Sequence, residues 1–258
     1  MSKIKTEITK YLSGLRFAAK LLPERLCYLC QQSTDTLVCQ HCEQDCLFFN
    51  LPMCDYNLLN WTVIRNALVT AKHTRVCAAG YYQWPLDYLV REFKYGQPQL
   101  ADTLADWFCR YGLNARRPMP QCLLPVPTSV WRYTRRQYHQ TALLSACLSK
   151  RLGIETQTHW ARRSASVKYG FMHQQGQGRK ARLTNLNKAY TLTAEPLPAH
   201  VAIIDDVMTT GATVATLSNM LHKRNPAMQI EVWTMAVTPL NADGTLLLPG
   251  RQLAPRAR

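Results

Sequence analysis

The sequence lacks any long uncharged hydrophobic run. A membrane-spanning helix needs about 18 consecutive apolar residues, and no segment of the 258-residue chain provides them. Near the N-terminus, Arg16 and Lys20 interrupt the apolar segment that follows the first lysines, and this pattern does not make a signal peptide. The sequence therefore predicts a cytoplasmic protein with no membrane span, in which residues 1–22 form a helical segment that packs on the rest of the chain.

The sequence is also poor in acidic residues. Its 16 Asp and Glu stand against 31 Lys and Arg, a formal net charge of +15, and between Trp131 and Tyr190 twelve Lys or Arg accompany the single acid Glu155. A small phosphorylated ligand needs few cations, whereas an extended polyanion engages many. Aromatic residues lie among these cations and suit stacking on single-stranded bases, although a solvated basic face with ordinary core aromatics fits equally well. The candidate nucleic-acid contacts are Arg132, Arg135, Arg136, Arg162 and Arg163.

Cysteines, by contrast, are abundant, and six of the ten lie between Cys27 and Cys54. Four of them form two Cys-x-x-Cys pairs separated by a short loop. Each pair aims two thiolates at one ion, and four thiolates satisfy tetrahedral zinc. The spacing predicts a structural Zn²⁺ site in a small module over 23–56. Disulfide bonds and a redox pair are the alternatives, and spacing does not decide whether Cys46 or His41 replaces a ligand. The predicted ligands are Cys27, Cys30, Cys39 and Cys42.

The segment 201–213 combines an apolar run, two adjacent acids and a polar turn with glycine. The run is rich in Val and Ile and too short for a helix, so it predicts a buried strand. An amphipathic helix over 212–224 follows, and the unpaired N–H groups at its start favour an anion. Asp205 and Asp206 then sit at the end of the strand, where carboxylates accept hydrogen bonds from ribose hydroxyls. The pattern indicates recognition of a ribose 5-phosphate unit, or else an N-capped turn in some other α/β sheet.

Strand and helix patterns alternate along the rest of the chain. Such alternation predicts an α/β fold with a parallel sheet and helices on both faces. The predicted strands cover 77–82, 122–127 and 230–237, and the predicted helices cover 87–93, 100–111 and 138–152.

Segment 201–213 closely resembles the phosphoribosyl-pyrophosphate (PRPP) motif of type I phosphoribosyltransferases. That motif has four hydrophobic residues, two acids, two hydrophobic residues, Thr-Thr-Gly, a small residue and Thr or Ser, and every position fits. The resemblance implies that Asp205 and Asp206 bind the ribose hydroxyls as the catalytic carboxylates. It also implies Mg²⁺ bound together with PRPP, largely through the phosphates. The residues implied to complete the PRPP site are Val207, Met208, Thr209, Thr210, Gly211, Ala212 and Thr213.

A series of landmarks along the chain resembles the ComF/GntX family, whose members join a small zinc-binding module to a type I phosphoribosyltransferase-like domain. After the paired cysteines come Phe-Lys-Tyr-Gly at 93–96, Pro-Val-Pro at 125–127, an Arg-rich segment at 135–140, and the Arg-x-x-Asn-Leu segment at 182–186. Gln137 and His139 stand where the family has Gly and Asn. The resemblance implies a phosphoribosyltransferase-like domain over 57–240, and we expect a loosely ordered tail over 241–258. A basic loop over 164–182 is expected to close on pyrophosphate, and the candidate contacts are Lys94, Pro127, Thr128, Lys168, Arg179, Lys180 and Arg182.

Two functions follow from these resemblances. The first is a role in DNA uptake or utilisation during natural transformation, with PRPP or a related ribose 5-phosphate as ligand and single-stranded DNA or competence proteins, such as a DNA-uptake helicase, as partners. The second is an active phosphoribosyltransferase with an unidentified nitrogenous acceptor. A transcription factor is disfavoured, because the sequence has no helix-turn-helix signature and its cysteine spacing is not that of a DNA-reading finger.

Overall fold

The computed structural model describes residues 25–68, 71–114, 117–128, 138–163 and 189–238. The predicted N-terminal helix, the basic loop and the tail lie outside these ranges. So do several candidate contacts, which are Arg132, Arg135, Arg136, Lys168, Arg179, Lys180 and Arg182.

The chain divides into two compact units, Met1–Gln44 and Asp45–Arg258. In the first unit an isolated bridge joins Leu26 to Ser33, and helix α1 spans Gln40–Gln44. In the second unit, the backbone N–H of Phe49 donates to the carbonyl of Ala79 at 2.9 Å. Residues 47–49 therefore pair with residues 79–81 in the sheet of the larger unit, and the module predicted over 23–56 stays a prediction.

The second unit is built on a five-stranded, fully parallel sheet. The strand bounds are Arg75–Tyr81 for β1, Cys122–Pro125 for β2, Glu155–Thr156 for β3, His200–Met208 for β6 and Gln229–Val237 for β7, and the order in the sheet is β1-β7-β6-β2-β3. The strands β1, β6 and β7 are rich in Val, Ile and Ala and mostly buried, as expected for a parallel sheet covered by helices, whereas the short edge strand β3 is not buried. A separate antiparallel pair consists of β4, Ala161–Arg163, and β5, Tyr190–Leu192.

Helices cover both faces of this sheet. Alternate strand residues such as Val76 and Ile203 share one core with Leu217 of α6, while α3, α4 and α5 occupy the other face, where Phe108 packs on Trp233 with ring centroids 5.4 Å apart. The predicted α/β class with a parallel sheet is confirmed. None of the helices in the described ranges is long and apolar enough to cross a bilayer. The helix bounds are Thr62–Ala67 for α2, Leu86–Tyr95 for α3, Leu100–Trp107 for α4, Gln140–Leu152 for α5 and Ala212–Arg224 for α6.

Short irregular helical turns complete the described part of the second unit. Two 3-10 turns, Leu51–Cys54 and Leu58–Asn60, precede β1. The helix predicted over 100–111 ends earlier as an α-helix, because α4 widens into a π-helical turn over Phe108–Gly112. These turns belong to the hydrophobic packing of the unit, since Leu51, Leu58 and Phe108 are all buried.

Candidate functional site

The candidate site lies where β2 and β6 end. Because the two strands are parallel and in register, with Pro125 opposite Ile204, the loop after β2 and the carboxylates at the end of β6 come to the same edge of the sheet. This edge is where ligands bind in parallel α/β folds. A cavity of about 380 Å³ opens there, a size that suits a small organic ligand.

The cavity brings together candidates from four separate parts of the sequence. The predicted residues among its lining are Lys94, Pro127, Thr128, Arg163, Asp205, Asp206, Val207 and Thr213. Other members of the PRPP segment do not line it: Met208 and Gly211 are buried, Thr209 and Thr210 are exposed on the turn, and Ala212 starts α6. Arg162 is exposed and is not among the residues that line the cavity.

The two carboxylates are held in place by their own backbone. The N–H of Asp206 donates to Asp205 Oδ1 at 2.9 Å, and the N–H of Val207 donates to Asp206 Oδ1 at 2.7 Å. Lys94 Nζ approaches the same Asp206 oxygen at 2.9 Å, and the two side chains are 19% and 14% exposed. The carboxylates are thus fixed in a half-buried position, with a cation beside one of them.

The turn after β6 has a backbone conformation and a charge distribution that favour a bound anion, which stays a prediction. Gly211 caps α6 with a φ of 67°, in the left-handed region that favours glycine. The first turn of the 13-residue α6 contains no acidic residue, so its unpaired N–H groups and helix dipole favour a negative charge. Thr209 and Thr210 lie exposed just before this helix and add hydroxyl groups to the same place.

His139 links the loop after β2 to the start of α5. The backbone N–H of Ala142 donates to His139 Nδ1 at 3.1 Å, which caps the helix, and the backbone N–H of Thr128 lies 3.2 Å from Nε2. Burial lowers the pKa of His139 below its usual value, so the ring is neutral, and a neutral imidazole accepts at one nitrogen at a time. The hydroxyl of Thr141 donates to the carbonyl of Val126 at 2.8 Å, and this hydrogen bond ties the cavity loop to α5.

Two further elements fix the walls of the cavity. The side-chain amide of Gln140 donates to the carbonyl of Lys94 at 3.2 Å, which holds the end of α3 against α5. The indole N–H of Trp160 donates to the carbonyl of Pro125 at 2.9 Å, which holds the β4–β5 pair beside the end of β2. In that pair, the guanidinium of Arg163 lies 5.6 Å from the ring centre of Tyr190.

The chain was then compared with known proteins. No protein-family model matches it. It is 34% identical over 165 residues to competence protein F of Haemophilus influenzae, an alignment that covers 61% of this chain and 70% of that protein. It is 32% identical over 171 residues to the DNA utilization protein YhgH of Salmonella typhi, covering 64% and 72%. The chain belongs to the ComF family. A third relative, the DNA utilization protein YhgH of Escherichia coli strain K12, is 27% identical to this ComF-family chain over 222 residues, covering 83% and 90%.

Among solved structures, a hypoxanthine phosphoribosyltransferase of Trypanosoma cruzi has 17% sequence identity and a TM-score of 0.30, covering 63% of this chain and 73% of that chain. In this ComF-family chain, the segment 201–213 that resembles the PRPP motif forms the end of β6 in the parallel sheet and the turn that leads into α6.

The ComF-family chain also gathers its four predicted cysteines into one cluster. The sulfur atoms of Cys27, Cys30, Cys39 and Cys42 all lie within 4.8 Å of one another, and Cys30 Sγ is 3.7 Å from Cys39 Sγ. Tetrahedral zinc with Zn–S bonds of about 2.3 Å places its sulfurs about 3.8 Å apart, whereas a disulfide needs about 2.05 Å. The cluster therefore fits a metal ion, and neither Cys46 nor His41 belongs to it.

The ionisation of these thiols also fits a bound cation. Burial pushes the pKa of Cys27 up, but backbone N–H groups, including that of Cys39 at 3.3 Å, outweigh this effect and lower the pKa to about 6. Burial, together with the neighbouring thiols, raises the pKa of Cys42 far above its usual value. Ionisation of Cys42 is therefore unfavourable beside the Cys27 thiolate, and a bound cation offsets that repulsion.

The cavity also contains residues that the sequence did not single out. Tyr95 lies in the Phe-Lys-Tyr-Gly landmark, and Arg91 lies one turn before Lys94, so helical spacing could have indicated both. Gln140 and Thr141 line the cavity because of the position of α5, and Tyr190 lines it because β4 pairs with β5. No local sequence signal marks Thr141 or Tyr190, whereas Gln140 is the last residue of the landmark segment at 135–140. The lining residues missed in this way are Tyr82, Arg91, Tyr95, Val126, Gln140, Thr141 and Tyr190.

Proposed function

We propose that this ComF-family chain acts in DNA utilisation, and that its cavity binds the ribose 5-phosphate part of PRPP or of a related ligand. The observation that carries the proposal is the joint position of Asp205 and Asp206 beside the start of α6, at one wall of the cavity. The carboxylates accept hydrogen bonds from the ribose hydroxyls, and the N–H groups at the start of α6 receive the 5-phosphate. The groups that contact the ribose hydroxyls and the 5-phosphate are thus close neighbours in the sequence.

The remaining lining supplies partners for a pyrophosphate group. Lys94 and Arg163 bring positive charge, and the loop at Pro127 and Thr128 brings backbone to the same space. Mg²⁺ bound together with the ligand would neutralise part of the phosphate charge. The residues of the chain orient the ligand and hold its hydroxyls. No observation at the described site favours phosphoribosyl transfer to a nitrogenous acceptor.

The ligand proposal is tested by calorimetric titration of PRPP with Mg²⁺ into the wild-type chain. We expect binding that disappears in the Asp205→Asn, Asp206→Asn double variant, because the hydroxyl acceptors are weakened and one partner of Lys94 is lost. The matched control is Asp45→Asn, which removes an exposed carboxylate outside the cavity and should bind as the wild type does. A folded wild-type protein that takes up no PRPP would contradict the proposal.

The role in DNA utilisation is supported by the names of the relatives and by the basic composition of the chain. We propose single-stranded DNA as the direct partner, and competence proteins such as a DNA-uptake helicase as protein partners. Binding to a labelled single strand should weaken steeply as salt rises, because phosphate contacts release counterions. Arg162→Ala should reduce that slope by about one unit if Arg162 contacts a phosphate, whereas a slope near zero in the wild type would refute direct DNA binding.

We propose Zn²⁺ as the structural ion of the cysteine cluster. Four thiolates at these distances leave no open position, which is the pattern of a structural site. Metal analysis of the purified chain should give one zinc per chain, and Cys39→Ser should lose it. Cys147→Ser, which changes a thiol outside the cluster, should retain it. A full zinc content in the Cys39→Ser variant would show that the cluster is not the site.

A further inference from the structure

Four large side chains recur with helical spacing at and just before α3. Trp84, Tyr88, Arg91 and Tyr95 stand at positions i, i+4, i+7 and i+11, a spacing that places them along one narrow face of a helix. We call this set the aromatic stripe. The opposite face of α3 is buried in the core through Leu86, Leu89, Val90 and Phe93. The buried face of α3 packs in the core and therefore fixes the position of the stripe.

The two ends of the aromatic stripe are strongly exposed. Trp84 is 64% exposed and Tyr95 is 61% exposed. Both stand out among the large apolar side chains of the described residues, because the other exposed ones are aliphatic or methionine. A Trp or Tyr in this position gives up the burial that such a large ring normally obtains, so a role on the surface is the simpler explanation.

Ring and cation contacts run along the aromatic stripe. The rings of Trp84 and Tyr88 are 5.4 Å apart at an angle of 51°, and the guanidinium of Arg91 lies 5.6 Å from the ring centre of Tyr88. The stripe extends over 11 residue steps, about 16 Å at 1.5 Å per residue. Stacked bases repeat about every 3.4 Å along one strand, so the stripe accommodates about four or five nucleotides.

The far end of the aromatic stripe enters the cavity. Arg91 and Tyr95 line it together with Lys94. A strand whose bases lie on Trp84 and Tyr88 is therefore directed toward cationic groups that receive phosphates. Asp87 and Glu92 balance Arg91 and Lys94 within α3 itself, so this surface contributes stacking more than net charge.

We propose that the aromatic stripe is a stacking surface for single-stranded DNA that leads into the ribose-phosphate cavity. The proposal rests on the proposed function in DNA utilisation and names the surface that contacts the DNA bases. Planar aromatic faces stack on any base, and a guanidinium adds a cation–π contact, so the stripe fits a single strand of any sequence. A double helix does not fit, because its bases are covered by their own stacking and pairing.

The test is a binding titration of the full chain with two probes, a 20-nucleotide oligothymidylate and a 20-unit abasic strand with the same phosphates. Trp84→Ala should weaken binding of the thymidylate by roughly five- to a hundredfold. Trp84→Phe should retain most of the affinity, since it keeps a stacking face. The matched control is Met53→Ala, which removes another exposed side chain outside the stripe and should leave the affinity unchanged.

The abasic strand separates stacking from charge. It should bind the wild type at least as weakly as the thymidylate binds Trp84→Ala, because it has no bases to stack on any residue of the stripe, and Trp84→Ala should weaken its binding no further. The loss caused by Trp84→Ala should also be the same at low and high salt. Two results would refute the proposal that the stripe stacks on bases and leave the proposed function intact. One is an equal affinity of wild type and Trp84→Ala for the thymidylate, and the other is an equal loss of affinity for both probes in Trp84→Ala. A wild type that binds neither probe would instead overturn the DNA role itself.

Discussion

The ion pair between Lys94 and Asp206 gives the sharpest prediction about the cavity. It joins the last turn of α3 to the end of β6, two elements far apart in sequence, across a distance of 2.9 Å between Nζ and Oδ1. We consider Lys94→Met, Asp206→Asn and the two changes together. Methionine keeps most of the length of the lysine side chain and removes the charge, and asparagine keeps the shape of the aspartate.

The magnitude follows from the partial burial of the pair. At 2.9 Å and an effective dielectric constant of about 20, the gross Coulomb attraction is about 6 kcal/mol. Removal of both groups from water offsets most of it, and hydrogen bonds to charged groups contribute about 1.5–3 kcal/mol net. Because neither side chain is fully buried, we expect a coupling energy of about 1–2 kcal/mol from the double-mutant cycle.

Urea unfolding of the four proteins measures this coupling. The control cycle uses Arg110 and Asp106, which are 2.7 Å apart but much more exposed on one helix surface, and it should give about 0.3–0.5 kcal/mol. Lys94→Met should also weaken PRPP binding more than ribose 5-phosphate binding, since Lys94 faces the proposed pyrophosphate position. Strictly additive effects of Lys94→Met and Asp206→Asn would refute the reasoning, because the contact would then contribute no energy.

Three further predictions concern residues that support the site. Burial lowers the pKa of His73 to about 4, below the unfolded value near 6.5, so the unfolded chain takes up the proton first as pH falls. The free energy of unfolding should drop by about 3 kcal/mol between pH 6.5 and 4, and His73→Gln should remove most of this drop in urea titrations at several pH values. Gly211→Ala should lower the free energy of unfolding by about 1–2 kcal/mol, because Gly211 has a positive φ. It should cost more than Gly153→Ala, because the new Cβ at Gly211 meets Leu68 Cδ2 at 3.3 Å, whereas a Cβ at Gly153 meets no atom within 4 Å. His139→Ala should cost about 1 kcal/mol in the same assay, whereas His139→Asn should cost less, since asparagine also caps a helix; equal losses would show that the cap is not what His139 contributes.

Much of the fold could be predicted because the chain obeys local rules. The helix over 212–224 has the predicted bounds, since a polar turn with glycine starts it and basic residues end it. The strand predicted at 201–204 instead continues to Met208, because β7 extends beside it and pairs Val207 with Ala236. Likewise, the periodicity over 100–111 could not reveal the π-helical turn from Phe108, because the turn keeps Phe108 buried as an α-helix would.

The candidate site was predictable where its residues are neighbours in sequence. Asp205 and Asp206 were predicted from one continuous motif, and Thr128 was predicted from its position directly after the Pro-Val-Pro loop. Tyr190 and Thr141 reach the cavity only because β4 pairs with β5 and α5 packs on the sheet. Tertiary packing of this kind leaves no local pattern, so the motif predicted one wall of the cavity and missed residues of the others.

The charges of the cavity bear on which ligand it selects. Arg91, Lys94 and Arg163 face Asp205 and Asp206, so the formal charges of the lining nearly cancel. A phosphate alone is attracted by the start of α6 and the cations but repelled by the two carboxylates. A ligand that carries hydroxyl donors beside its phosphate turns that repulsion into hydrogen bonds with charged acceptors, which are stronger than neutral ones. We therefore expect the carboxylates to discriminate against inorganic anions, and we expect the hydroxyls of the proposed ribose 5-phosphate ligand to contribute more to selectivity than its phosphate charge.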